Sequence, residues 1–428
     1  MAETKLPERA QYVIVGGGIV GCSAAYFASK SRQRVLLFER DTAGSAQSGR
    51  CLGFVRQQDR DMKELPIAMG ALEIWRSLEE RLGRPVGWFQ GGSIMLANSE
   101  KQLEKQREWQ SRAKERGLET KILTPAEVYK QMPLLKQDES IKGASFTETD
   151  GRAEPGLATR AIFDAAIEEG TEAIRGQLVS GIETAGGKVV GVRSKGELYQ
   201  APTVICAAGA GTSRLLRKLG VLLPQEIIRS SIARTSRTPR KFPICTSLPT
   251  TGLRQSTDGS IHLSVLGGEY DLRMDSLRYA KWYSALRKDN TDTIRVNYLS
   301  PLRQFMSGKT PPPMGDIAPT SDCVPPDSNR LNMAQSEVAK YLPALADLKI
   351  TSSWAGYIDT LPDMLPAIGG VQNIDGLLVA TGFNGHGFCL GPKVGEILAT
   401  LAHGKTSDID LTPLSLERFQ KSGRAVRP

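Results

Sequence analysis

Six residues near the start of the chain, Gly16-Gly17-Gly18-Ile19-Val20-Gly21, have the spacing G-x-G-x-x-G, and an acid, Glu39, stands about 20 residues further on. That pairing suits one task, the holding of a dinucleotide. Gly16 permits a tight turn, Gly18 lets a pyrophosphate approach the backbone, and Gly21 lets a helix pack closely on a strand. The helix N-terminus offers free N–H groups and a positive dipole end to the phosphates. Glu39 can accept hydrogen bonds from both ribose hydroxyls, and its charge would repel a 2′-phosphate, which disfavours NADP. The elements needed to position these groups surround them. Gln11–Val15 reads as a short buried strand, residues 19–29 have helical composition, and Arg34–Phe38 reads as a second buried strand. This frame points to a bound dinucleotide without separating FAD from NAD.

Three further segments choose FAD. In RDTAGSAQSGRCLGFVR (40–56), small residues and glycines follow the second strand directly, where an NAD domain would continue with further βα units. TVICAAGAGTS (203–213) is an apolar strand ending in Gly209 and Gly211. Before it, Ala158–Glu168 reads as a helix, and Val179–Glu183 and Lys188–Arg193 as strands joined by Gly186-Gly187. Lastly, Leu377–Ala380 feeds Thr381-Gly382-Phe383-Asn384-Gly385-His386-Gly387 and a helix bearing Val394, Ile397, Leu398 and Leu401 on one stripe, stopped by Gly404. A helix N-terminus there suits the negative charge of a reduced flavin.

With GGGIVG (16–21), GSAQSGRCLGFVR (44–56), CAAGAG (206–211), TLPDMLPAIG (360–369) and ATGFNGHGF (380–388), nearly the whole chain resembles the D-amino-acid oxidase (DAO) family of flavoproteins. Within it the likeness is strongest to sarcosine oxidases and their glycine oxidase relatives, above all the β subunits of heteromeric sarcosine oxidase. The resemblance implies FAD contacts at Gly16, Gly18, Ile19, Val20 and Gly21, at Glu39 and Arg40, and in the following loop at Ser45, Gln47, Ser48, Gly49, Arg50, Leu52 and Gly53. It also implies contacts at Val179, Ala208 and Gly209, and at Gly382, Phe383, Asn384, Gly385, His386 and Gly387 in the last turn.

Such enzymes oxidise a carbon–nitrogen bond: a hydride equivalent passes from the α-carbon to flavin N5 and the resulting imine is hydrolysed. Position and electrostatics matter more than acid–base groups, which fits a chain with 3 histidines. Arg56 falls where the family often places an arginine near the flavin and the substrate carboxylate. His386 is expected beside the flavin, Tyr357 along the pocket, and Cys389 at the pocket wall or as a reactive thiol. Sarcosine, glycine, proline derivatives and opines are all possible substrates, with oxygen, a quinone or a partner subunit as electron acceptor. A non-catalytic FAD-binding subunit and an NAD-dependent dehydrogenase are the competing classes.

Three positions depart from family patterns. Gly356 stands at about the place of the cysteine that holds FAD covalently in monomeric sarcosine oxidases, and Leu361 replaces a threonine, so FAD is expected to be non-covalent. Cys389 replaces a lysine that many relatives carry after GHGF. Glu154 stands near the place where heterotetrameric enzymes attach FMN to a histidine, so covalent FMN is not expected.

A chain of 428 residues is too long for one ordinary core. The expected fold is α/β: a Rossmann-like FAD-binding domain (parallel sheet with helices and a βββ crossover) plus a mixed α+β substrate domain with an antiparallel sheet. Residues 8–84, 149–222 and 350–420 are assigned to the first, 85–148 and 223–349 to the second. Leu65–Gly83 reads as an amphipathic helix with Ile67, Ala71, Trp75, Leu78 and Leu82 inward, Glu100–Gly117 and Asp275–Lys288 as helices, and Thr124–Glu127 as a capping box. Thr251–Leu266 reads as a hairpin around Asp258-Gly259, and Lys309–Ser328 as a proline-rich connection. The net charge of +9 suits an anionic substrate or partner. The basic stretch Arg229–Lys241 has no aromatic interleaving and is expected to be solvated surface, with no nucleic-acid role. Six scattered cysteines, no CxxC, no leader and no apolar run of membrane length point to a cytoplasmic protein without a metal site, with a hetero-oligomer possible.

Overall fold

The computed structural model describes residues 9–272, 276, 278–283, 294–299 and 325–420. Most of Lys309–Ser328, together with Cys323, lies outside the described residues, as does much of Asp275–Lys288. Residues 279–283 of that last segment form turns and a bend, not the expected α-helix.

Two large sheets carry the molecule. The first has a parallel core in the spatial order Ile374–Thr381, Thr203–Cys206, Tyr12–Val15, Val35–Glu39, Glu172–Arg175. Its central strands read as unbroken apolar runs because both faces are covered. An antiparallel meander, Val179–Ala185, Lys188–Ser194 and Glu197–Gln200, makes the crossover back to Thr203–Cys206. Its first turn uses Gly186 and Gly187, both left-handed (φ +55° and +75°), as a two-residue hairpin loop requires.

Two helices cross on one face of this sheet, the opening helix Ile19–Ser29 and the closing helix Gly387–Ala402. Their approach depends on missing side chains. A Cβ on Gly391 would lie 2.6 Å from Ile19 Cγ2, and one on Gly395 2.3 Å from Ser23 Cβ. Gly395→Ala is therefore expected to destabilise the protein by about 1–3 kcal/mol through overpacking, read as a lower urea midpoint. An unchanged midpoint would mean the helices have room to separate.

Among the described residues the second sheet has ten strands, mostly antiparallel. Its longest pair, Glu226–Arg237 and Ile350–Thr360, runs from Glu226↔Thr360 to Thr235↔Ile350. The basic stretch thus begins inside a sheet and is not simply solvated surface. Arg229 is paired with Glu269 and Asp271, and Arg234 with Asp258, while Arg237, Arg240 and Lys241 are exposed. The pairing carboxylates lie outside the stretch, so its own sequence does not reveal them. The Asp258-Gly259 hairpin forms (strands Thr251–Gln255 and Ser260–Val265), as do the buried stripe of Leu65–Leu82 and the Thr124/Glu127 capping box. The helices Thr212–Lys218 and Ser328–Tyr341 escape the sequence reading. Among the described residues no helix is long and apolar enough to cross a membrane, and Cys22, Cys51, Cys206, Cys245 and Cys389 are free thiols.

Candidate active site

A cavity of about 370 Å³ runs from the opening glycine turn to the second sheet. At one end lie Gly16, Gly18, Ile19, Val20, Glu39 and Arg40, joined by Val179 from the crossover. Gln47, Ser48, Arg50 and Leu52 also line it, as do Ala208 and Gly209. Phe383, Gly385, Gly387 and Phe388 come from the last turn, and Ile232, Ser264 and Tyr357 from the second sheet. Remote stretches of the chain therefore converge on one space.

The glycine roles are visible in the backbone. Gly16 is left-handed (φ +108°), and a Cβ there would lie 2.3 Å from the Ala207 carbonyl oxygen. A Cβ on Gly21 would lie 1.9 Å from the Gly16 oxygen, so this glycine seats the helix on its own turn. At Gly18, which lines the cavity, the one protein atom close to an added Cβ is Ser48 Oγ, at 3.2 Å, the end of a short side chain that also accepts the Ile19 amide at 2.9 Å. Glu39 is buried and accepts from the Gly17 and Asp41 amides at 2.7 and 2.8 Å. Burial pushes its carboxyl up, only partly offset by those amides.

Other expected contacts stand behind the wall and shape it. A Cβ on Gly49 would strike the Gly44 oxygen (2.3 Å), one on Gly53 would meet Arg254 Nε (2.8 Å), and one on Gly382 would strike Leu361 (2.4 Å). Gly382, Asn384 and Gly385 are all left-handed, at φ +74°, +52° and +87°. Asn384 closes the turn by accepting from the Leu361 amide and donating to the Gly382 carbonyl. The Ser45 carbonyl accepts from Arg50 Nε at 3.0 Å. A Cβ on Gly356 would sit 3.3 Å from Arg50 Cβ, and the residue supplies no thiol.

Arg56, His386 and Cys389 gather just behind Gly387 and Phe388. Cys389 is buried, and its thiol donates to the Arg56 carbonyl oxygen, 3.4 Å away. Burial pushes it to about 12, so it is a neutral thiol rather than a nucleophile. His386 Nδ1 lies 3.0 Å from the buried Glu64 carboxylate. Burial and the Arg60 cation depress His386, while burial pushes Glu64 up and His386 more than reverses it. Glu64, favoured in its charged form, thus accepts a hydrogen bond from His386 Nδ1.

Sequence reasoning missed the supports behind this wall. Asp359 accepts from the Gly382 amide (2.7 Å) and Gln225 (3.0 Å), Gln225 also donates to the Gly209 carbonyl, and the Thr381 hydroxyl lies within donating distance of either Asp359 (3.0 Å) or the Gly209 carbonyl (3.1 Å). This network ties the 209 turn to the 382 turn. Arg254, with a fully buried side chain, donates from both terminal nitrogens to Glu154 at 3.0 Å and from Nε to the Leu52 carbonyl. Glu154 also takes the Ser256 hydroxyl and Thr257 amide, so it is committed to an internal ion pair. His262 packs edge-on to Trp354, whose Nε1 donates to the Arg50 carbonyl. Burial and then Arg254 depress His262 to about 4. Arg60 is buried next to Arg56 and Glu64. Asp359 lies within the WAGYIDTLPD segment that contains Tyr357, but no local signal distinguishes Arg254, Glu64 or Arg60.

Among the described residues no cluster of His, Cys, Asp or Glu has the makings of a metal site. The open glycine turn, the buried acid beside it and the largely apolar cavity fit FAD. What such a space serves is oxidation and reduction through a flavin, and the class is the FAD-dependent oxidoreductases. The DAO family model, described as FAD dependent oxidoreductase, matches residues 11–401, and the chain belongs to that family.

Mitochondrial sarcosine dehydrogenase of Mus musculus is 24% identical over 425 residues, covering 97% of this chain and 42% of that protein. The chain thus spans less than half the length of that relative. Peroxisomal sarcosine oxidase of Homo sapiens is 25% identical over 418 residues, covering 96% of this chain and 97% of that protein. L-amino acid deaminase from Proteus myxofaciens, solved in complex with anthranilate, shares the fold with a TM-score of 0.89 at 24% identity, over 98% of this chain and 95% of that one.

Proposed function

We propose that the protein oxidises the carbon–nitrogen bond of an amino acid or secondary amine of the sarcosine, glycine, proline or opine type. The carrying observation is a cavity that joins the opening glycine turn to the last turn, with Arg56, whose Nη1 is buried and unsatisfied, bearing on His386 just behind that turn. A bound FAD would supply the acceptor for the hydride equivalent lost from the α-carbon, and the resulting imine would be hydrolysed by water. Arg56 orients the substrate by its carboxylate, which relieves that unsatisfied donor. Tyr357, Ile232 and Phe388 line the chamber and exclude water. His386, held by Glu64, fixes the turn that brings Gly385 and Gly387 to the cavity. Cys389 forms wall and carries no charge. With no thiol at Gly356, FAD is held without a covalent bond. The free thiols fit a reducing compartment such as the cytoplasm.

Arg56→Ala is expected to slow flavin reduction by an amino-acid substrate by about 10- to 100-fold, the loss of one buried charge-assisted contact, while FAD content stays near that of the wild type. The measurement is anaerobic bleaching of the flavin across a panel of amino acids. No bleaching by any amine in the wild type would leave a non-catalytic FAD-binding subunit. Rapid reoxidation by air would mark an oxidase; slow reoxidation in air but fast reoxidation by a quinone would mark a dehydrogenase.

A further inference from the structure

Beside Arg56 stands a second guanidinium. Arg60 is 3% exposed. Its Nε donates to the Arg56 carbonyl at 3.3 Å, and Trp109 Nε1 donates to Arg60's own carbonyl at 2.7 Å, so both ends of the residue are fixed. Nη1 of Arg60 and Nη1 of Arg56 are both buried without a hydrogen-bond partner. Of the nearby acids, Asp59 is exposed and acts on Arg56 through its charge, whereas Asp150 and Glu64 are engaged elsewhere. Asp150 accepts from the Gln57 amide, the Gln57 side chain and the Gln58 amide, and Glu64 accepts from His386.

A buried donor left unsatisfied costs free energy, more so when charged. Two such cations side by side also repel: Arg60 adds to the burial that depresses Arg56. The arrangement becomes favourable once an anion with two oxygens bridges the pair. The cluster lies behind the cavity wall, not in its lining: the Cys389 thiol donates to the Arg56 backbone carbonyl, Cys389 follows the lining residues Gly387 and Phe388, and both guanidinium charges bear on His386 of the same turn.

We propose that Arg60 is a second substrate-binding guanidinium, which closes with Arg56 on a single carboxylate of the amino-acid substrate. The owner of that carboxylate rests on the amine-oxidation reading above. One carboxylate is favoured over two because Asp150 and Glu64 already bring acidic groups to the cluster, and a further anionic group would be repelled.

The test uses the FAD-loaded protein and small non-oxidisable probes, with the flavin absorbance difference spectrum as readout. Acetate is expected to perturb the spectrum saturably, acetamide not at all, and malonate no more tightly than acetate. Arg60→Met should weaken acetate binding by about 10- to 100-fold, the range for a buried charged hydrogen bond. Arg60→Lys, which keeps the charge but loses the planar fork, should recover part of that loss. Should Arg60→Met fail to fold or retain FAD, Arg60→Lys decides the matter, and acetate affinity equal to wild type overturns the proposal. Three other results would overturn it: acetate binding unaffected in a folded Arg60→Met, malonate binding more tightly than acetate, or no response to acetate in the wild type. If amines still bleach the flavin in any of these cases, the amine-oxidation reading survives and only the role of Arg60 falls.

Discussion

Gly18→Val is expected to yield a folded, colourless protein. An added Cβ at this position meets one protein atom closely, Ser48 Oγ at 3.2 Å, a tight contact that a small shift of the serine side chain relieves, so the fold should tolerate it. The space it fills is the one through which a pyrophosphate would approach the helix N-terminus. Losing that approach removes several charge-assisted contacts at once, and FAD affinity should fall by on the order of 1,000-fold or more, about 4 kcal/mol. Gly21→Val is the control, since its Cβ would sit 1.9 Å from a backbone oxygen of the same turn and should cost the fold itself. Circular dichroism and flavin content together separate the two outcomes. A yellow, fully loaded Gly18→Val protein would remove the phosphate assignment.

The second large effect is expected at Arg254→Met. Arg254 joins the second sheet to the cofactor loop through the Leu52 carbonyl and to the first helix turn of Pro155–Glu168 through Glu154. Truncation leaves Glu154 buried without its cation, a change that costs about 3–5 kcal/mol. The sign of the accompanying pH effect follows from Glu154. Burial pushes its carboxyl up, but Arg254 outweighs this and holds it at about 2, below its ordinary value of 4.5. A depressed carboxyl stabilises the fold above its ordinary value and loses that contribution as pH falls toward 2. In the wild type, roughly 3 kcal/mol of stability should therefore drain away between those limits, and in Arg254→Met this part of the acid dependence should vanish. Urea unfolding at a series of pH values reads both. Equal acid sensitivity in the two proteins would show that the pair does not govern it.

What could be read from the sequence follows from how local each signal is. The opening strand–turn–helix, the Gly186-Gly187 hairpin and the buried stripe of Leu65–Leu82 are written in contiguous residues, and they form as expected. The basic stretch misled because Arg229 and Arg234 find their carboxylates at Glu269 and Asp258, which only sheet pairing brings near. The wall of the cavity was legible through its glycines, whereas its supports were not. Arg254 reaches Leu52 across 202 positions, and Glu64 reaches His386 across 322. No motif spacing encodes such contacts, and a lone buried cation or acid looks like any surface residue until its partner is in place.

The order of strands in the first sheet bears on how the enzyme is made. Ile374–Thr381 lies beside Thr203–Cys206, which in turn lies beside Tyr12–Val15, and the closing helix crosses the opening one at Gly391 and Gly395. During synthesis the strand–turn–helix of Tyr12–Val15 and Ile19–Ser29 can form well before the opposite side of the cofactor chamber, Ile374–Thr381 and Gly387–Ala402, has been made. A complete flavin chamber is thus expected only once both segments are made, and the long sequence separation between neighbouring strands of this sheet predicts slow refolding in vitro.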